Sequence, residues 1–230
     1  MGKFDSIISD ALTIAASAAR TAVLTSADFI NEKARGLEVY LNITSITAGI
    51  NEVQEITVDA TGGTFTLSFG GQTTSALDWN AAPATIENAL RALSTIGLGN
   101  CSVAPNGPGV FRVTFIGTLA ATNVAEMTAD SASLTGNTHT ASLTTVTQGQ
   151  AGTSLTLKIQ GQDPVSRNYI DILTGAAVSA TGTTKYVVYP GLTAVTNQVA
   201  SAALPNKFRV VVTPSAADSA TYSVGGSLCP

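Results

Sequence analysis

Ionisable side chains are scarce in this chain of 230 residues. Charged residues make up 11% of it, against roughly 25% in an average soluble domain, and His139 is its one histidine. A single imidazole excludes metal sites and catalytic pairs built from two histidines. No nucleophile-elbow motif accompanies His139, and the few carboxylates are dispersed at turn-like positions. We therefore predict no catalytic residue, no cofactor site and no metal site, and we expect a protein that is not an enzyme.

Three other features are missing. The two cysteines, Cys101 and Cys229, share no motif spacing, so we expect free thiols while a disulfide between them stays open. Eleven basic residues are scattered among fifteen acidic ones, for a net charge of −4, and no basic patch indicates nucleic acid as a direct partner. No apolar run approaches the ~20 residues of a membrane-spanning helix, so no membrane partner is expected.

Apolar residues alternate with polar ones in many short runs that Gly and Pro separate. Residues 37–43 and 155–159 show this period of two, which is typical of half-buried strands. Further runs lie at 169–173, 185–189, 208–212 and 220–228. Six to eight such strands predict a mainly β fold, an antiparallel β-sandwich or jelly-roll-like domain.

The stretch between the first two of these strands has a complete pattern of its own. Strand-like runs precede and follow a predicted helix that starts after Trp79-Asn80, with Pro83 in its first turn. The pattern predicts a small α+β domain of ββαββ type at 50–152, inserted into a host domain formed by 21–49 and 153–230. An insert whose own ends lie close together avoids most of the roughly 3 kcal/mol that closing a flexible loop of this length would cost.

The first twenty residues are predicted to form a helical arm. Phe4, Ile7, Ile8 and Leu12 recur at helical spacing within 3–19. Such a helix could pack on its own domain or dock on a neighbouring subunit.

Trp79 is the only tryptophan. It could be a core aromatic that covers the start of the inserted helix, or an anchor for a partner or a sugar ring. The candidate interface residues are therefore Phe4, Ile7, Ile8, Leu12 and Trp79.

Several segments resemble known modules of virus particles. The host-domain segments resemble small virion proteins of tailed bacteriophages; they are Arg20–Val23, Leu155–Pro164, Tyr169–Leu173, Ala180–Thr184, Val188–Leu192 and Ala220–Gly225. The insert is similar to a separate module of phage structural proteins, through Gln72–Asn80, Ile86–Leu93, Gly99–Asn100 and Val103. The resemblance implies a structural component of the virion and carries no catalytic residue.

The expected function follows from this resemblance and from the low charge. We expect a capsid decoration protein on the capsid surface that binds the major capsid protein, or other virion proteins, as a homo-oligomer, with a trimer as one option. Two alternatives stay open. One is a structural protein of the tail, neck or fibre base, and the other is a carbohydrate-binding adhesin that uses Trp79 as a stacking platform.

Overall fold

A computed structural model describes residues 11–136, 138–216 and 219–230. The chain divides into two compact units. Unit 1 combines the residues up to Ala48 with Gly152–Pro230, and unit 2 is Gly49–Ala151. Each is mainly β, and the described residues contain one α-helix. No helix among them is long and apolar enough to span a membrane.

Backbone hydrogen bonds hold the chain together on both sides of the junction. In unit 1 the amide of Thr153 donates to the carbonyl of Thr47 at 3.0 Å. In unit 2 Ile50 and Gln150 each donate to the other's carbonyl at 2.8 Å. The two ends of unit 2 therefore lie side by side, which is the geometry that lets a folded segment interrupt a hairpin at little entropic cost.

The strands are named here in chain order. They are β1 (Ala11–Arg20), β2 (Leu24–Thr25), β3 (Phe29–Ile30), β4 (Gly36–Ile46), β5 (Val53–Asp59), β6 (Gly62–Phe69), β7 (Gln72–Thr73), β8 (Leu77–Asp78), β9 (Cys101–Gly107), β10 (Val110–Phe115), β11 (Thr128–Asp130), β12 (Leu134–Thr135), β13 (Thr140–Thr147), β14 (Leu155–Gln162), β15 (Tyr169–Thr174), β16 (Gly182–Val188), β17 (Val199–Ala200), β18 (Lys207–Pro214) and β19 (Ala220–Cys229). The helix α1 is Pro83–Arg91, and a 3₁₀ turn lies at Gly117–Leu119.

Unit 1 is a sandwich of two sheets. One has the order β1-β19-β4-β16-β17, and the other has the order β15-β14-β18-β2, with β3 also paired to β18. Inward side chains of both sheets form one hydrophobic core, including Leu41 and Tyr186 from the first sheet and Ile159 and Phe208 from the second. Alternating burial along β4 and β14 matches the period of two in the sequence, so the predicted β-sandwich is confirmed.

Unit 2 has two sheets and the helix. The four-stranded sheet has the order β13-β5-β10-β9, and β6 is the centre of a second sheet with β7, β8, β11 and β12. The helix α1 begins at Pro83, as the sequence predicts, because its ring fits the first turn, where the missing amide hydrogen has no partner to lose. Its buried side chains, Ile86 and Leu90, join a core that contains Phe65 and Phe115.

The predicted helix over 3–19 is wrong where the structure tests it. Residues Ala11–Arg20 form β1, an edge strand paired antiparallel with β19. The half-buried Leu12 and Ile14 face the core on either side of the exposed Thr13, so the local period is two. Alanine has the highest intrinsic helix propensity, but such propensities are small in free energy, and pairing with β19 outweighs them here. Phe4, Ile7 and Ile8 lie outside the described residues.

Candidate functional site

Trp79 lies on the rim of an open cleft in unit 2. It follows β8, and its amide donates to the carbonyl of Gly63 at 3.1 Å, which fixes the backbone at the entrance of α1. Its side chain is 37% exposed, so it is not the core aromatic of the first alternative. The cleft has a volume of about 360 Å³, and its lining residues are Val58, Asp59, Ala60, Trp79, Asn80, Ala81, Pro108, Gly109 and Phe111.

Part of the cleft is lined by the turn between β9 and β10, through Pro108 and Gly109. Gly109 has φ 68° there. Its carbonyl accepts a hydrogen bond of 2.8 Å from the backbone amide of Val58 on β5. A methyl group on Gly109 would lie 2.4 Å from the Val58 carbonyl oxygen, so only glycine fits here without a shift. The close contact between turn and strand shapes this side of the cleft.

The polar groups of the cleft belong to Asp59 and Asn80. Both residues are exposed, and no described residue forms a side-chain hydrogen bond or ion pair with either of them. A free carboxylate accepts several hydrogen bonds, and a free amide both donates and accepts. The cleft thus combines an aromatic face, a negative charge and a neutral polar group, and it suits a ligand with a flat or apolar face and hydrogen-bond donors.

A second candidate is the open edge of β16 in unit 1. β16 pairs with β4 along Gly182–Val188, whereas on its other side only Val187 and Val188 pair with β17. The amide of Val187 donates outward to Gln198 at 2.9 Å. Because backbone groups of alternate residues point to the same edge, the amides and carbonyls of Thr183 and Lys185 point outward too.

The chain itself turns away from this open edge. Asn197, at φ 63°, lies in the turn that leads into β17, and Val195 bridges back to Val199. A groove of about 430 Å³ remains along the edge, lined by Thr183, Thr184, Lys185, Val187, Gln198 and Val199. Its size and its free backbone groups fit an added extended segment.

Two other edge strands, β9 and β1, have backbone groups that side chains bind. The amide of Val103 on β9 donates to Glu87 of α1 at 2.8 Å, and the carbonyl of Cys101 accepts from Arg91 at 2.7 Å. The helix side chains therefore occupy the edge groups of β9. At the edge strand β1, the guanidinium of Arg20 donates to the carbonyls of Ala16, Ala18 and Tyr222, where the register with β19 is irregular.

The outer face beside the β16 groove carries one ionic cluster. Lys185 forms an ion pair with Glu38 at 2.6 Å, and the hydroxyl of Tyr40 donates to the same carboxylate at 2.6 Å. The hydrogen bond from Lys185, followed by that from Tyr40, lowers the pKa of Glu38, and the same contact raises the pKa of Lys185. These residues neutralise one another, so the face next to the groove has little net charge.

Among the described residues, neither His139 nor either cysteine forms a side-chain hydrogen bond or ion pair with a carboxylate. No set of three His, Cys, Asp or Glu residues in them could hold a metal ion. His139 is exposed, and its Nδ1 lies 3.0 Å from the carbonyl oxygen of Gly136. Both cysteines are free, Cys101 buried and Cys229 half-buried, and burial is the main cause that raises the pKa of each thiol.

The two predicted interface residues that the structure describes belong to different units. Leu12 is half-buried against the core of unit 1, whereas Trp79 belongs to unit 2. No local pattern in the sequence indicates the open edge of β16, because sheet order decides which edge of a strand stays unpaired. The same holds for the buried pair Glu52 and Gln54, whose side chains accept hydrogen bonds from the backbone of the irregular segment at 124–127.

Comparisons with known proteins establish no family. No family model and no curated protein matches the chain. Among solved structures, the D2–D3 domains of the flagellar cap protein FliD from Escherichia coli align with 89% of this chain and 100% of their own, at 13% identity and a TM-score of 0.28. A similarity at this level carries no argument about fold or function.

Proposed function

We propose that the chain is a non-enzymatic structural protein of a tailed-phage virion, a capsid decoration protein that binds the major capsid protein as a homo-oligomer on the capsid surface. The resemblance of both units to virion modules suggests the particle. The observation that carries the assembly role is the open edge of β16, because free backbone groups along a groove are completed by a strand from another chain.

Charge supports the same role. On the outer face next to the groove, the charged groups of Lys185 and Glu38 pair with each other. A surface of this kind loses little solvation energy when a partner covers it. Many weak contacts repeated by particle symmetry can then give stable attachment without one large interface.

Copy number in purified particles tests the proposal directly. Quantitative mass spectrometry of virions, with the major capsid protein as the internal standard, should find the chain in hundreds of copies. Tens of copies would favour the tail, neck or fibre base, and absence from the particle would contradict a virion role. Sedimentation velocity of the purified chain tests the homo-oligomer separately.

The role of the edge can be tested with two substitutions at one position. Thr183→Pro removes an outward amide hydrogen that no described residue accepts, and proline is tolerated at such edge positions. Thr183→Val keeps that amide but loses the hydroxyl contact of 3.1 Å with Asn42. We expect the proline variant to fold and to lose attachment to particles, while the valine variant attaches as the parent does. Equal attachment of both variants would show that the edge is not used.

A further inference from the structure

We propose that the Trp79 cleft of unit 2 binds the guanidinium group of an arginine side chain from a partner protein. This inference concerns a site in unit 2 that the decoration role does not require, and it would stand if the partner were not a capsid protein. It depends on three observations: the net charge of unit 2, the pairing of its own cations, and the chemistry of the cleft.

Unit 2 is strongly acidic although the whole chain is only mildly so. Residues 49–151 contain two basic residues, against seven acidic ones: Glu52, Glu55, Asp59, Asp78, Glu87, Glu126 and Asp130. The remainder of the chain has nine basic and eight acidic residues. The negative potential of the protein is therefore concentrated on the unit that carries the cleft, and it favours a cationic ligand there.

The two arginines of unit 2 cannot supply that cation. Arg91 pairs with Glu87 at 2.8 Å, and Arg112 pairs with Glu55 at 3.3 Å. The exposed Asp59 lines the cleft and has no cationic partner among the described residues, and the exposed Asp78 precedes Trp79 in the chain. The cation that complements this surface must come from outside the unit.

An exposed indole beside a carboxylate is chemically suited to arginine. The planar guanidinium stacks on an aromatic face, and its N–H fork donates to a carboxylate or an amide oxygen. Trp79 offers the face, and Asp59 and Asn80 offer the acceptors on the same cleft. A volume of about 360 Å³ lies at the small end of the range for ligand sites, so it suits one side chain better than an extended ligand.

A sugar ring is the main competitor, because indoles also stack on sugars. Sugar sites of adhesins usually present several aromatic rings, whereas the other aromatic residues of unit 2 are buried: Phe65, Phe69, Phe111 and Phe115. A neutral sugar also gains nothing from the net negative charge of unit 2. We therefore favour arginine and make a sugar one outcome of the test.

Trp79 reports on its own site, since the chain has no other tryptophan. Tryptophan fluorescence of the intact protein is followed while N-acetyl-arginine amide is added. Parallel titrations use the lysine analogue, the citrulline analogue, which has a similar shape without the charge, and glucose. We expect saturable quenching by the arginine compound, with a dissociation constant on the order of millimolar for one side chain, and binding about tenfold weaker with citrulline.

Two matched variants separate local from general electrostatics. Asp59→Asn should weaken binding of the arginine compound about tenfold. Glu126→Gln removes the same charge from another exposed position of unit 2 that does not line the cleft, and it should change the affinity less than twofold. NMR chemical shifts of the Gly109 amide give a second reading that does not depend on fluorescence.

Each remaining outcome decides against the proposal. Equal binding of arginine and citrulline, or equal losses in the two variants, would mean that the charge of Asp59 is not what the cleft recognises. Saturable binding of glucose alone would assign the cleft to carbohydrate. No response of Trp79 or Gly109 to any compound would mean that the cleft is not a binding site for these groups. None of these results bears on copy number in the virion, so this proposal and the decoration role fail separately.

Discussion

Replacing Tyr186 by phenylalanine should stabilise unit 1, although it removes a polar group from a well-packed core. Tyr186 on β16 is 1% exposed, and its hydroxyl has no hydrogen-bond partner within the part of the chain that the structure describes. The ring also lies tight against Gly175, where an added methyl group would be 2.5 Å from Cε1. The tyrosine hydroxyl therefore gives up its hydration on folding and gains no bond in return.

The magnitude follows from two opposing effects. Burying a hydroxyl without a partner costs about 1–3 kcal/mol. Removing the oxygen leaves a void of roughly 10 Å³, which costs about 0.2 kcal/mol at ~24 cal/mol per Å³. We expect Tyr186→Phe to raise the free energy of unfolding of unit 1 by about 1 kcal/mol near neutral pH.

The pH dependence gives a second reading of the same group. Burial raises the pKa of Tyr186 above its ordinary value of 10.0, so the folded protein holds the phenol proton more tightly than the unfolded chain does. In the parent protein, the unfolding free energy is unaffected by this group below about pH 10. Above that pH the unfolded chain loses the phenol proton first, so the parent loses stability as the pH rises through the folded-state pKa. The stability advantage of the phenylalanine variant should therefore grow above pH 10.

Urea unfolding followed by far-UV circular dichroism measures both effects. Tyr40→Phe is the matched control, because the hydroxyl of Tyr40 donates to Glu38 at 2.6 Å, and its loss should lower stability or leave it unchanged. A Tyr186→Phe variant that is less stable than the parent at neutral pH would refute the reasoning, since it would mean that the hydroxyl has a favourable partner.

Three further predictions concern the two units and their buried groups. Replacing residues 49–151 by a short Gly-Ser turn should leave unit 1 folded, with its amide NMR spectrum conserved; a collapsed spectrum would show that the units depend on each other. In the native protein a thiol reagent should modify the half-buried Cys229 well before the fully buried Cys101, and equal rates would contradict the burial described. Glu52→Gln should destabilise unit 2 by about 2–3 kcal/mol in thermal unfolding, because the buried carboxylate accepts from Gln54 and from the backbone amide of Val124, whereas the exposed Glu126→Gln should have little effect.

The parts of the fold that the sequence predicted are those where one local rule acts alone. Strands β4 and β14 alternate strictly because one face of each meets the core, and α1 starts at Pro83 because proline is favoured in a first turn. The strand β1 was mistaken for a helix because its alanines fit either period, and the choice depends on β19, which lies two hundred residues away. Pairing partners of that kind leave no trace in a local pattern.

The candidate sites were predictable to the same limited degree. The aromatic character of Trp79 is visible in the sequence, but its exposure depends on the turn at Gly109 and on the cleft that this turn helps to form. Asp59 is available to a cation from another molecule because Arg91 and Arg112 pair with other carboxylates. No composition or spacing encodes which carboxylate is left without a cation, because that is decided by the packing of the whole unit.

Edge strands connect the fold of this chain to its proposed function. A sheet with a free edge invites pairing with other chains, and natural proteins block the edges that they do not use. Here Glu87 and Arg91 form hydrogen bonds with the outward backbone groups of β9, and Arg20 donates hydrogen bonds to carbonyls at the irregular part of β1. The outward groups of β16 at Thr183 and Lys185 have neither protection among the described residues, and the chain turns away from them at Asn197. Because an open edge otherwise favours aggregation, the groove along β16 is where we propose that a strand of a partner binds.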